Sequence, residues 1–208
     1  MDWKRIIEVE VSGGYVISGE ERIDPFDVVD SLHGSDDKIL LHDTDGRRRN
    51  KQQLDLIQDL SAEITVWYEG GLRNSDNIID PIVAGAERVV VNPAYFSANE
   101  FESAIRMTDG VVIDLDFEHA DNIRDVGSSE QGDIRLRNLL GLGYSEVILS
   151  PSRLKEVVVS LPGAALSFWI RTDGPVEEPS QLLKRIPVSA ANVKGRVVSL
   201  KELEEKDG

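Results

Sequence analysis

The residues LLHDTDGRRRNKQQLDLIQDLSAEITVWYEGGLR, from Leu40 to Arg73, decide the fold. The chain enters them through Lys38–His42, a short apolar run that stops abruptly at Asp43-Thr44-Asp45-Gly46. Gln53–Leu60 carries Leu54, Ile57 and Leu60 at helical spacing, and Ile64–Tyr68 is β-branched and aromatic up to Glu69-Gly70-Gly71. The order is strand, loop, helix, strand, loop. A buried strand ended by acids or glycines and followed by a helix is the repeating unit of parallel α/β folds. Such folds gather their ligands at the carboxyl ends of the strands. Asp43, Asp45, Gly70, Gly71 and Arg73 are therefore the first candidate site residues.

Outward from this stretch the same unit recurs. Arg5–Val11 alternates as a strand into Ser12-Gly13-Gly14, Tyr15–Ser18 is again strand-like, and Pro25 opens a short helix to Leu32. Asn77–Ala84 reads as a helix closed by Gly85, Arg88–Val91 as a strand ended by Asn92-Pro93, and Ala98–Met107 as a helix. Gly110–Ile113 is a buried strand ended by Asp114-Leu115-Asp116, and Glu118–Asp133 is a patternless loop. Ile134–Leu140 and Leu154–Leu161 read as helices around the strand Glu146–Leu149, which ends in Ser150-Pro151-Ser152. Ala165–Ile170 is a strand ended by Arg171-Thr172-Asp173-Gly174, and Ser180–Ile186 is a helix. Val188 opens the last segment, around Lys194-Gly195-Arg196 and Val197–Glu205. About eight strands alternate with about seven helices. The expected fold is one α/β domain over residues 1–208, a (β/α)8 TIM barrel trimmed in its second half. An open doubly wound sheet is the runner-up.

The 208 residues carry a net charge of −15, with acids spread from Asp2 to Asp207. That balance argues against nucleic acid and anionic membrane as partners. There is no cysteine, so disulfides, thiolate nucleophiles and cysteine-held zinc are excluded. No apolar run is long enough to span a bilayer and the start, MDWKRIIEVEV, lacks the layout of a signal peptide, so the expected compartment is the cytoplasm. No nucleotide-binding loop and no metal-spaced histidines occur, which points to chemistry without a cofactor or a metal. Arg47-Arg48-Arg49 reads either as a solvated loop or as a lid that grips a phosphate; His42 and His119 read as acid–base groups or as hydrogen-bonded structural residues.

Three motifs give the chain a family likeness. Leu41-His42-Asp43-Thr44-Asp45-Gly46 resembles V-D-L-D-G after a second strand, Glu69-Gly70-Gly71-Leu72-Arg73-Asn74 resembles G-G-G-I-R-S after a third, and Ala84-Gly85-Ala86-Glu87-Arg88-Val89-Val90 resembles the lead into a fourth. These are motifs of the histidine-biosynthesis barrels, the ProFAR isomerase and the imidazole glycerol phosphate synthase cyclase. The likeness is good from about Leu40 to Asp114, extends back to Ile7–Gly14, and is thin after Glu118.

The resemblance implies an intramolecular aldose–ketose (Amadori) isomerisation of a phosphorylated ribotide. One group protonates the ring oxygen while another takes the proton from carbon two. Carried over by motif, the pair is Glu10 after strand one and Asp114 after strand five, with Ser150 where the family has a threonine. Glu10 stands for an aspartate, and its extra methylene moves the charge by roughly 1–1.5 Å, when misplacement of about 1 Å can cost a hundredfold. Asp114 alternatively caps a helix, and Glu10 alternatively is a solvated strand residue. The resemblance also implies two phosphate sites built from glycine-loop N–H groups. One takes Gly70, Gly71 and Arg73, beside a loop where Asn92-Pro93 replaces Gly-Thr and removes an N–H. The other takes Thr172, Gly174, Gly195 and Arg196, with Asp173 repelling phosphate and Arg171 offsetting it. Asp43 and Asp45 support, or merely cap the next helix.

The expected partner is thus a small phosphorylated metabolite. Beside the isomerase stands a non-catalytic or differently specialised barrel that binds a small anion or a protein partner. The sequence carries no sign of oligomeric state.

Overall fold

Eight short, apolar strands with β-branched cores pair in parallel and close on themselves. The computed structural model describes residues 4–32, 37–93, 96–116, 137–151, 153–154, 157, 166–172 and 192–200. The barrel strands are β1 (Lys4–Ser12), β4 (Lys38–Asp43), β5 (Thr65–Glu69), β6 (Arg88–Val91), β7 (Val111–Asp114), β8 (Glu146–Leu149), β9 (Ser167–Thr172) and β10 (Asn192–Ser199). Each pairs with its neighbour in chain order, and the first and last join in parallel from Lys4 opposite Gly195 to Glu8 opposite Ser199. This is a closed (β/α)8 barrel. The open doubly wound sheet is thereby excluded.

Two further strands stand outside the barrel. β2 (Tyr15–Ser18) and β3 (Glu21–Ile23) add an antiparallel hairpin to the free end of β1. The β1–β2 turn has φ of 58° at Gly13 and 83° at Gly14. Two successive positive values suit a tight hairpin turn and explain the paired glycines. The helices between strands are α1 (Pro25–Ser31), α2 (Thr44–Arg49), α3 (Leu54–Ser61), α4 (Asp76–Val83) and α5 (Ala98–Met107). Pro81 removes the N–H that would bond the carbonyl of Asn77 inside α4. The Gln52 side-chain amide donates to that carbonyl instead, at 3.2 Å.

Alternation along the strands divides the apolar residues into two cores. Ile6, Leu40, Trp67, Val90, Val112, Ile148, Trp169 and Val197, one from each barrel strand, fill the barrel itself. A larger cluster, including Ile7, Leu41, Tyr68, Val91, Ile113 and Ile170, lies between strands and helices. Trp67 and Trp169 meet edge to face with centroids 5.0 Å apart. Their indole N–H groups donate to Glu87 at 2.7 Å and Glu146 at 3.3 Å.

Two local expectations change. The stretch after β4, read as a loop, is the helix α2: Asp43 caps it by accepting from the Gly46 N–H at 2.9 Å, and Asn50 ends it at φ 53°. Lys194-Gly195-Arg196, read as a phosphate loop, lies inside the amino half of β10, opposite Lys4 and Arg5. A Cβ on Gly195 would stand 2.2 Å from the Lys4 carbonyl oxygen and 2.7 Å from the Trp169 ring. This glycine makes room for the tryptophan. Gly195→Ala is expected to lower the unfolding free energy by about 1–3 kcal/mol through overpacking, read by urea denaturation.

The expected helices at Leu154–Leu161 and Ser180–Ile186, the loop at Glu118–Asp133, and residues His119, Asp173 and Gly174 lie wholly or mostly outside the described residues. Among the described residues no helix is long and apolar enough to cross a membrane.

Candidate active site at the barrel mouth

Two residues beyond the apolar layer, each inward-facing strand position reaches the carboxyl end of the barrel. Glu8, His42, Glu69, Asp114 and Arg171 occupy this layer by the two-residue period of a strand. Instead of an empty cup they form a joined set of charges. His42 is held between two glutamates, its Nε2 on Glu8 and its Nδ1 3.0 Å from Glu69. Burial alone would lower its pKa, but Glu8 and Glu69 outweigh burial and raise it to about 9. The two carboxylates favour the protonated imidazole at neutral pH, and the Arg47 Nη2 also stands 2.6 Å from Nδ1. Burial would likewise raise Glu69, yet the hydrogen bond from His42 and the charge of Arg47 bring it down to about 2. Glu8 is depressed still further by His42 and Arg171 against the same opposing burial.

Arg171, on β9, is the other hub. Its Nε donates to Glu8 at 3.3 Å, Nη1 to Asp114 at 3.0 Å and Asp116 at 3.4 Å, and Nη2 to Asp114 at 2.9 Å and Glu8 at 3.2 Å. All five N–H groups are used. The side chain is only 5% exposed. Burial opposes its charge, but Asp114 and Glu8 outweigh that and raise its pKa.

Arg47 leans in from α2. Its Nε donates to Glu69 at 2.5 Å, and its Nη2 also bonds that carboxylate. The side chain keeps 35% of its surface exposed. Both glycine turns at the mouth are filled from within. Gly13 N–H donates to Asp45 at 2.7 Å, Gly14 N–H to Gln53 at 2.5 Å, and Gly71 N–H to Glu69 at 3.1 Å. Gly71, at φ 65°, is pressed so close to α2 that a Cβ would sit 2.7 Å from the Arg47 Cα.

The residues singled out by sequence divide accordingly. Glu10 is exposed at the rim of β1, where Thr44 Oγ1 donates to it at 3.0 Å. It has no cationic partner among the described residues. Asp114 is engaged by Arg171, and so is Asp116, two residues further on and just past the end of β7. Ser150 donates its N–H to Asp116 at 2.9 Å. Asp43 is fully buried, accepting from Gly46, from Gln53 N–H and side-chain amide at 2.9 Å each, and from the Tyr68 hydroxyl at 2.7 Å. It is a structural cap. Asp45 fastens the hairpin turn to α2, and its bond from the Gly13 N–H lowers its pKa. Gly70 and Gly71 are buried against Tyr68 and Arg47. Exposed Arg73 donates from Nη2 to the Arg47 carbonyl at 3.0 Å. Thr172 ends β9, with a buried hydroxyl that makes no hydrogen bond among the described residues. Gly195 and Arg196 stand at the opposite end of the barrel, so the fold does not bring them to Thr172.

Glu8, Arg47, Asp116 and Arg171 complete the mouth; the sequence marks Arg47 and Arg171 only as phosphate-side cations and does not single out Glu8 and Asp116. The signal was the two-residue alternation: Glu8 precedes Glu10 by one repeat, and Asp116 follows Asp114 by one. His42 Nε2 is engaged by Glu8, and its Nδ1 by Glu69 and the Arg47 guanidinium. Among the described residues no group of three or more acids and histidines is arranged to hold a metal ion.

A closed parallel barrel with helices between its strands, and with charged side chains converging at the carboxyl ends, is a (β/α)8 barrel. Residues 9–150 match the model of a family described as histidine biosynthesis protein. The chain belongs to that family. No curated protein sequence shows significant similarity to it.

Proposed function

We propose that the protein is an isomerase-type member of its family, taking a phosphorylated aminosugar or ribotide at the barrel mouth. The reaction is intramolecular. An acid protonates the ring oxygen and opens the ring, a base removes the proton from carbon two, and the enolamine tautomerises to the aminoketose, so atoms balance without cofactor or oxidant. Glu10 is one member of the pair and a carboxylate at the end of β7 is the other. Asp116, just past that strand, has the Ser150 N–H to orient it. Asp114, in its fork with Arg171, sets the floor beneath.

The observation that carries this reading is Glu10 itself, a rim carboxylate bonded by a threonine hydroxyl and by no cation among the described residues. Glu10→Gln is expected to cut kcat/KM for the family's ribotide at least about a hundredfold, with the thermal midpoint unchanged. Asp116→Asn is expected to do the same. Full turnover by Glu10→Gln would remove the pair.

The filled glycine turns favour a second reading, a barrel specialised for another small anion or for binding alone. Folded wild-type protein that gives no turnover, and no calorimetric heat with any sugar phosphate, would decide for it over the isomerase.

A further inference from the structure

We propose that the ligand's phosphate is held by side chains, on an arginine rim formed by Arg47 and Arg48 of α2 with Arg73 of the loop after β5, and not by the glycine turns. This rests on the reading of a phosphorylated ligand at the mouth. The first observation is that three of the glycine-turn N–H groups are already used. Gly13, Gly14 and Gly71 give their N–H groups to Asp45, Gln53 and Glu69, two of them carboxylates that repel a phosphate dianion. The second is local charge. In a chain of net charge −15, Arg47, Arg48, Arg49, Lys51 and Arg73 all fall on α2, its C-terminal side or the adjoining loop.

The third is geometry. The Arg73 guanidinium bonds the Arg47 carbonyl at 3.0 Å, which ties the loop after β5 to α2, the helix that also carries Arg48. Arg47 spends Nε and Nη2 on Glu69, while its Nη1 makes no bond among the described residues. Arg48 is exposed and has no ion pair among the described residues, whereas Arg49 lies 3.6 Å from Asp45. Open guanidinium edges match phosphate oxygens in pairs, and they act at the rim without entering the filled floor of the mouth. Arg47 thus joins the two functions, with one edge fixing Glu69 and the other facing the ligand.

The test is isothermal calorimetry of the full chain with ribose 5-phosphate and, separately, ribose. Arg48→Glu/Arg73→Glu alters two exposed side chains and is expected to fold with an unchanged midpoint. Its Kd for ribose 5-phosphate should rise at least about tenfold, and wild-type affinity should fall steeply with salt. Arg48→Lys/Arg73→Lys should retain most of the affinity, and Lys4→Glu, at the far end of the barrel, should change nothing. Wild-type binding that the Glu/Glu variant leaves intact would overturn the arginine rim and leave the isomerase reading standing. A wild-type protein that binds ribose 5-phosphate no better than ribose would overturn both.

Discussion

Replacing Arg171 by leucine is expected to lower the unfolding free energy by about 3–5 kcal/mol, the cost of leaving buried charges without their partner. Three carboxylates depend on this one side chain: Asp114 through a two-pronged fork, Glu8 through two bonds, and Asp116 through one. Leucine fills part of the space and answers none of the charge. Lysine restores a charge but has three donors on one atom in place of a planar fork, so Arg171→Lys should recover only part of the loss. Urea denaturation with the m-value monitored makes the comparison. The deficit of the leucine variant should shrink as pH falls and the orphaned carboxylates protonate. An Arg171→Leu protein as stable as the wild type would mean that the charge network contributes nothing net.

Stability is also expected to fall on the alkaline side because of His42. Its pKa rises from 6.5 in the unfolded chain to about 9 in the fold. A group whose folded pKa is raised contributes fully below its unfolded value and loses that contribution as pH climbs through the folded one. Between about pH 6 and pH 10 the wild type should therefore lose up to about 3 kcal/mol, at 1.36 kcal/mol per unit. His42→Gln should lose far less over the same range. Glu8 and Glu69 act in the opposite direction: their pKa values are lowered from 4.5, so their contribution is present above that value and disappears on acidification. Maximum stability is expected between about pH 5 and pH 6.5. A wild-type curve flat from pH 6 to pH 10 would sink the protonated-histidine assignment.

The barrel was legible because each strand announces itself by composition and by an abrupt polar stop. Arg88–Val91 and Gly110–Ile113 read as buried strands without any knowledge of their neighbours, and strands stand at Arg88–Val91 and Val111–Asp114. For Asp43 the sequence leaves support of a site and capping of a helix both open, and in the fold it caps α2. The α2 helix was hidden because Thr44–Arg49 has no apolar face to set a period. It is held by its caps and by contact with the loop after β5. The charge network was hidden for a different reason. Glu8 and Arg171 are 163 positions apart and meet only when β9, β10 and β1 are side by side. Motif comparison drew attention to Gly70-Gly71 and Lys194-Gly195-Arg196 as phosphate loops. In the fold Gly70 makes room for Tyr68, Gly71 for α2 and Gly195 for Trp169, steric duties that a motif does not distinguish from ligand binding.

The seam between β1 and β10 has a bearing on how the protein is made in the cell. Strand β1 leaves the ribosome long before its partner at the seam, residues 192–199, because every other barrel strand lies between them in the chain. Until residues 192–199 follow, one edge of the growing sheet has no closing strand. The buried charges compound the problem, since Glu8 waits for Arg171 on the same late portion of the chain. The antiparallel hairpin of β2 and β3 pairs with β1 at once, within twenty residues of it, and offers the nascent strand a provisional companion. Chaperone dependence during translation should accordingly be greatest in the interval before β9 and β10 appear.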